Sequence, residues 1–245
     1  MNIIKYTLTI LISILFLACS KDGAADSAAS GKGGSLARFT TVGNYLYIAD
    51  QFGINVFDIS TQGKAENRGS VPIGFGIETI FPYKDKLFIG SIDGMFIYSL
   101  DNPASPKKLG EARHLRSCDP VVANDSMSYV TLRGGTACGP ATDGLYIYNI
   151  TDLSKPVQKS LLQLSNPYGL GLTDSIVYVC RGDKGLTVVN VKQSNVPKEI
   201  KTIKDAEYYD VIPYDQILIC YVKTGILLYD ISNPANPVKL GNYQY

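Results

Sequence analysis

This chain has very little histidine and almost no net charge. Its 245 residues include a single histidine, His114, and the formal net charge is +1. A hydrolase of the Ser-His-Asp or Cys-His type would have to use His114, and no GxSxG nucleophile motif accompanies it. A nearly neutral chain also lacks the basic field that general nucleic-acid binding requires. We therefore expect neither such a hydrolase nor a nucleic-acid partner.

Long apolar runs are lacking too, with one exception at the N-terminus. The run YTLTILISILFLA, residues 6–18, follows Lys5 and stops at Cys19. It is shorter than the about 20 residues that cross a bilayer, and it is typical of a secretory signal. The next residues are small, polar and glycine-rich, which predicts a flexible tether. The predicted organisation is a signal peptide over 1–18, a tether over 19–35 and one folded domain over 36–245.

The signal ends in FLAC, which resembles the lipobox of bacterial lipoproteins. Phe16 stands where that motif usually has an aliphatic residue. The resemblance implies that Cys19 is lipidated, for example with palmitate, and that the lipid attaches the protein to a membrane. Ser20 after the cysteine resembles lipoproteins sent to the outer membrane, so we expect a cell-envelope location on the periplasmic or surface-exposed face. The alternative is an ordinary cleaved signal with an incidental cysteine.

The rest of the chain repeats one pattern five times: an apolar strand, a polar gap, a glycine and a second apolar strand. The glycine-anchored copies are GINVFDIS from Gly53, GMFIYSL from Gly94, GLYIYNI from Gly144, GLTVVNV from Gly185 and GILLYDIS from Gly225. A period of about 40 residues indicates a propeller or a solenoid.

Each copy contains four short strand-like segments, and the second, such as residues 217–220 (ILIC), is often apolar at both parities. Such a strand is buried on both faces, which stacked sheets provide. We predict an all-β fold, a five-bladed β-propeller of four-stranded repeats. An open solenoid or a sandwich is the alternative.

Three segments support a family resemblance: GILLYDISNPANPVKLGNY, LYIADQFGINVFDIS and VYVCRGDKGLTVVNV. They resemble the LVIVD repeat of bacterial and archaeal surface proteins, and the resemblance covers roughly residues 36–245. It implies a surface β-propeller and supplies no reaction.

Four cysteines lie within the repeats. Cys118 and Cys138 flank a predicted hairpin in the third copy, and in an exported protein they are predicted to form a disulfide. Cys180 and Cys220 each precede a repeat glycine by five residues. Because neighbouring blades pack about 10 Å apart, we expect these two to remain free, buried thiols.

The candidate binding residues lie near the start of each predicted innermost strand, about sixteen residues before the repeat glycine. In a propeller these starts surround one mouth of the central channel, where recognition usually occurs. Their side chains vary from copy to copy, and aromatic faces with carboxylates suit a sugar or a peptide. The predicted set is Arg38, Glu78, Asp119, Tyr168, Tyr208, Tyr209 and Asp210. The alternative is that they only plug the channel.

These features predict a lipid-anchored, non-enzymatic scaffold that binds a protein or a glycan, with no cofactor and no metal. One alternative is a hydrolase or lyase acting on carbohydrate, with Glu78, Asp119 and Asp210 as acid and base. Another is a purely structural subunit of an outer-membrane assembly.

Overall fold

The computed structural model describes residues 33–114, 116–117, 120–135 and 139–244. Within these ranges there are twenty β-strands in five sheets, and no helix. Each sheet is an antiparallel meander of four consecutive strands and corresponds to one copy of the sequence repeat. The protein is therefore a five-bladed β-propeller, as the repeat predicts.

The strands are assigned to blades in chain order. Blade 1 contains β1 (Phe39–Val42), β2 (Tyr45–Ala49), β3 (Gly53–Asp58) and β4 (Glu66–Pro72). Blade 2 contains β5 (Ile77–Tyr83), β6 (Lys86–Ser91), β7 (Gly94–Ser99) and β8 (Lys107–Arg113). Blade 3 contains β9 (Val121–Ala123), β10 (Met127–Leu132), β11 (Gly144–Asn149) and β12 (Val157–Gln163). Blade 4 contains β13 (Leu170–Thr173), β14 (Ile176–Cys180), β15 (Leu186–Asn190) and β16 (Lys198–Ile203). Blade 5 contains β17 (Tyr208–Tyr214), β18 (Ile217–Val222), β19 (Gly225–Asp230) and β20 (Val238–Gln244).

Sterics require the glycine that recurs in each repeat. It stands at or just before the start of the third strand in every blade, where the fourth strand passes close by. A Cβ at any of the five glycines would lie 2.0 to 2.8 Å from a carbonyl oxygen of the fourth strand. Since real Cβ atoms do not approach an oxygen so closely, only glycine fits.

Four apolar cores hold the blades together, one at each interface between blades that are consecutive in the chain. Alternating side chains of one strand enter two different cores: Leu87 and Ile89 pack against blade 1, whereas Phe88 packs against blade 3. In blade 4 the whole of β14 is buried for this reason. Burial on both faces is thus confirmed for the middle blades.

The interface between blade 5 and blade 1 is different. Among the described residues, no buried apolar cluster joins these two blades. The second strand of blade 5 alternates, with Leu218 and Cys220 buried against blade 4 and Ile217 38% exposed on the other side. The prediction that residues 217–220 are buried on both faces is therefore wrong, because the face of β18 that points away from blade 4 has no apolar core to pack into.

Polar contacts connect the two terminal blades instead. Ser35 Oγ, just before blade 1, donates to Asp210 Oδ1 in blade 5 at 3.1 Å, and the Leu36 backbone N donates to Oδ2 at 3.2 Å. Ser35 Oγ also accepts a hydrogen bond from the Leu170 backbone N at 2.6 Å. The segment from Gly33 to Leu36 thereby links blades 1, 4 and 5 at the centre of the ring.

Cys180 and Cys220 are free and buried, as predicted. They do not, however, occupy equivalent positions, because both lie in the core between blades 4 and 5. Cys180 pairs with Leu186 across its hairpin, whereas Cys220 pairs with Leu227. Counted from the repeat glycine of each blade, these two registers differ by one residue. A shift of one residue turns a side chain to the opposite face of the sheet, and it explains why the two thiols face each other's blade.

Several predictions fall outside the described residues: the signal peptide, the tether up to residue 32, lipidation of Cys19, the disulfide between Cys118 and Cys138, and the position of Asp119. Described residues near these two cysteines in sequence do lie together, since a Cβ on Gly139 would be 2.4 Å from the Arg116 carbonyl oxygen. The disulfide stays a prediction.

Candidate functional site

The innermost strands of the five blades all begin at the same end of the ring, which we call the upper mouth. A cavity of about 230 Å³ opens there, and residues from four blades line it. The lining residues are Leu36, Arg38, Glu78, Thr79, Pro120, Arg133, Pro167 and Tyr168. The fold thus brings together three residues of the predicted set, Arg38, Glu78 and Tyr168.

A second cavity of about 370 Å³ adjoins the first and shares Arg38 and Glu78 with it. Phe75 and Arg116 are among its other lining residues. The two cavities form a continuous recess over blades 1 to 4, and we treat them together as the upper-mouth site.

Two arginines are held in place in this site. Arg38 Nη2 donates to the Ile77 backbone carbonyl at 2.9 Å. The guanidinium carbon of Arg133 lies 4.0 Å from the centre of the Tyr168 ring. A guanidinium stacked on an aromatic face keeps the N–H groups at its edge available for other partners.

Sequence reasoning missed Arg133. It follows directly after β10, the second strand of blade 3, whereas the search considered only the starts of innermost strands. Second strands run back toward the mouth in an antiparallel meander, so the residues that follow them also surround it. Including those positions would have found Arg133.

Tyr209 lies beside Tyr168, with the ring centres 5.3 Å apart in an edge-to-face arrangement. Its hydroxyl donates to Glu207 Oε2 at 3.0 Å, and Glu207 also pairs with Lys223. Tyr209 is half-buried and extends the aromatic surface from the cavity toward blade 5. This residue of the predicted set therefore belongs to the edge of the site.

Tyr208 does not take part in the site. Its side chain is fully buried in the core between blades 4 and 5, and its hydroxyl lies 2.5 Å from the Tyr229 hydroxyl. Both hydroxyls contact Asp205, which also accepts a hydrogen bond from Lys239. The sequence search included Tyr208 because it is the neighbour of Tyr209, which lies sixteen residues before Gly225.

The Asp210 side chain points toward the segment before blade 1 and not into the upper mouth. Its carboxylate accepts hydrogen bonds from Ser35, from the Leu36 backbone and from its neighbour Val211. Burial raises the pKa of Asp210 to about 6, although these donors act in the opposite direction. Asp210, one of the three carboxyl groups named in the enzyme hypothesis, thus already fastens the segment before blade 1.

The raised pKa makes a testable prediction for stability. Because the folded state holds the Asp210 proton up to about pH 6 and the unfolded state releases it near pH 4, stability falls as pH rises between these values. The loss at pH 7 from this group is about 3 kcal/mol. Replacing Asp210 by Asn should remove this contribution. The variant should therefore gain stability relative to the wild type as the pH rises from 4 to 7.

Urea denaturation of both proteins at several pH values measures that difference. Other carboxyl groups titrate equally in both proteins and cancel. Parallel stability curves across pH 4 to 7 would show that Asp210 is not the titrating group.

A larger cavity of about 570 Å³ occupies the centre of the ring below the upper mouth. The innermost strands of blades 2 to 5 line it, with side chains such as Phe81, Val122, Leu172 and Ile212. Gly33 and Ser35 line this central cavity, whereas Leu36 lines the upper-mouth site. The segment before blade 1 thus passes between the two.

Two further observations concern metals and membranes. Within the described ranges, no group of three or more His, Cys, Asp and Glu side chains is placed to hold a metal ion. The same ranges contain no apolar helix of the length that would cross a bilayer.

Comparison with known proteins identifies the repeat and the fold. The model of the LVIVD repeat matches residues 33–64 and 219–245. No curated protein has significant sequence similarity to the chain.

Many solved structures share the fold at low identity. A functionally unknown protein from Desulfotomaculum acetoxidans is 12% identical with a TM-score of 0.67, over 82% of this chain and 66% of that one. A protein from Lactobacillus plantarum is 11% identical with a TM-score of 0.64, over 82% and 68%. The periplasmic gluconolactonase of Pseudomonas aeruginosa is 12% identical with a TM-score of 0.61, also over 82% and 68%.

This chain therefore spans about two thirds of the length of these three structures, and at such identities the likeness shows the fold alone. The matched segments lie in the first and last blades, and they include the repeat copies that start at Gly53 and Gly225. The chain is thus a β-propeller protein that carries LVIVD repeats.

Proposed function

We propose that this protein is a lipid-anchored scaffold of the cell envelope that binds a glycan at the upper-mouth site. The observation that carries the proposal is the convergence of side chains from four blades on one recess, with two arginines already held in place beside Tyr168. Sites of this kind, concave and built on rigid strands, are where small ligands bind.

The shape of the recess favours a sugar over an extended peptide. Its inner cavity, about 230 Å³, is the size of a single ring-shaped group, and Pro120, Pro167 and Tyr168 are among the residues that line it. Aromatic and proline surfaces suit the apolar faces of sugar rings. The adjoining cavity of about 370 Å³ gives room for a second sugar residue.

In this proposal a lipid on Cys19 holds the protein, and the tether joins the described chain at Gly33, which lines the central cavity below the upper mouth. Mass spectrometry of the mature protein should find a lipid on an N-terminal Cys19, and an unmodified N-terminus at another residue would contradict the anchor.

Binding to a glycan array tests the proposed function. We expect Tyr168→Ala to weaken the binding of the ligand that the array identifies at least tenfold, because the variant loses the aromatic wall and the support of Arg133. Tyr243→Ala is the matched control, since Tyr243 is exposed on the outermost strand of blade 5. It should bind like the wild type.

Equal binding by wild type and Tyr168→Ala would place the ligand elsewhere and reject the proposed site. Conversion of the bound glycan to a product, abolished by Glu78→Gln, would instead support the competing hypothesis of a carbohydrate-acting enzyme.

A further inference from the structure

Among the described residues, those that line the upper-mouth site carry more positive than negative charge. Arg38 and Arg133 line its inner cavity, and Arg116 lines the adjoining one. Among the described residues, no carboxylate lies within ion-pair distance of these three guanidinium groups. Two arginines outside the site are ion-paired, Arg68 with Asp58 and Arg113 with Asp93.

The described residues of the site include two carboxylates against these three arginines. Glu78 is the carboxylate that lines both cavities. Asp50 lines the adjoining cavity, but it accepts hydrogen bonds from the backbone of Phe52 and Gly53 and from the Asn55 side chain. Asp210 is directed toward Ser35 and Leu36.

The two inner arginines are also pre-organised. A single contact to the Ile77 carbonyl orients Arg38, and stacking on Tyr168 orients Arg133. In both cases most N–H groups remain available, and their planar geometry matches a carboxylate that accepts two hydrogen bonds. A ligand carboxylate would therefore find its donors already in position.

We propose that the ligand of the upper-mouth site is an acidic saccharide whose uronate carboxylate binds between Arg38 and Arg133. The sugar ring packs against Pro120, Pro167 and the aromatic wall. This inference rests on the proposed function and narrows it to one ligand class. Since the carboxylate is recognised by charge, binding weakens as the salt concentration rises.

The test compares an oligogalacturonide with its methyl ester, which keeps the same sugar but removes the charge. Titration calorimetry should show that the ester binds wild type at least tenfold more weakly than the acid. Arg38→Gln and Arg133→Gln should each weaken binding of the acid about tenfold more than binding of the ester. Arg68→Gln, which removes an arginine from the outermost strand of blade 1, is the matched charge control and should not affect either ligand.

The design keeps failures separate. Equal affinity of wild type for acid and ester would overturn the acidic-ligand inference while the glycan scaffold stands. Binding of no saccharide on the array or in this pair would overturn the proposed function itself. If an acidic peptide such as poly-glutamate binds through the same arginines and the oligogalacturonide does not, the saccharide assignment is wrong. Because Arg38 is exposed, Arg38→Gln provides a readout even where Arg133→Gln loosens Tyr168.

Discussion

Replacing Gly185 by alanine is expected to destabilise the protein by about 3 kcal/mol or more. The new Cβ would lie 2.1 Å from the carbonyl oxygen of Ile203, a backbone atom that cannot move without shifting β16. The φ angle of Gly185 is also +95°, a conformation that residues with a side chain rarely adopt. Steric overlap and backbone strain each cost about 1 to 3 kcal/mol.

Gly241→Ala is the matched control for this prediction. Gly241 lies in β20, and no atom is within 4 Å of the position its Cβ would take. We expect a change within about 0.5 kcal/mol, as is usual for surface substitutions. Urea denaturation of both variants gives the two values. Similar values would mean that the repeat glycine is not required by the close approach of the fourth strand.

Replacing Ile89 by alanine is expected to cost about 3 kcal/mol, whereas Ile48→Ala should cost about 1 kcal/mol or less. The two isoleucines occupy the same repeat position, five residues before Gly94 and Gly53. Ile89 is fully buried between blades 1 and 2, but Ile48 faces away from blade 2 and is 37% exposed. Removing a buried isoleucine forfeits transfer free energy and leaves a cavity, while the exposed one leaves none.

This pair measures the interface between blades 5 and 1 directly. Thermal or urea denaturation of the two variants at one protein concentration gives the comparison. If both substitutions cost the same, the outer face of blade 1 is packed in solution, and the missing fifth core is filled there. A small cost for Ile48→Ala agrees with four cores for five blades.

The number of blades could be predicted from sequence because it depends on local chemistry. Each copy contains its own strands, its own turns and a glycine whose need arises within one sheet, between the third and fourth strands. Interactions within one repeat recur in every repeat, so the period of the sequence reports them.

Predictions that depend on a neighbouring blade were less successful. The sequence of β18 is as apolar as that of β14, yet only β14 is buried along its whole length. The difference is the presence of a partner sheet on the second side, which the sequence of the strand does not contain. The cysteines show the same limit, because a register shift of one residue decides that Cys180 and Cys220 enter the same core.

The candidate site was predicted in part. Arg38, Glu78 and Tyr168 could be found because repeat register places the starts of innermost strands around one mouth. Tyr208 was included as the neighbour of Tyr209 but is buried between blades 4 and 5, and Asp210 was misread because its partner, Ser35, is 175 residues away in sequence. Arg133 escaped because the search left out the residues that follow the second strands, although its stacking on Tyr168 results from the packing of blade 3 against blade 4.

The sequence by itself determined the all-β class, the five repeats and the position of the glycine in each, since strand periodicity and close contacts within a sheet are local. Only the tertiary structure decided which faces are buried, which thiols share a core and which of the candidate residues surround an open recess. Those outcomes depend on contacts between blades, where one residue of register or one absent neighbour changes the environment of an entire strand.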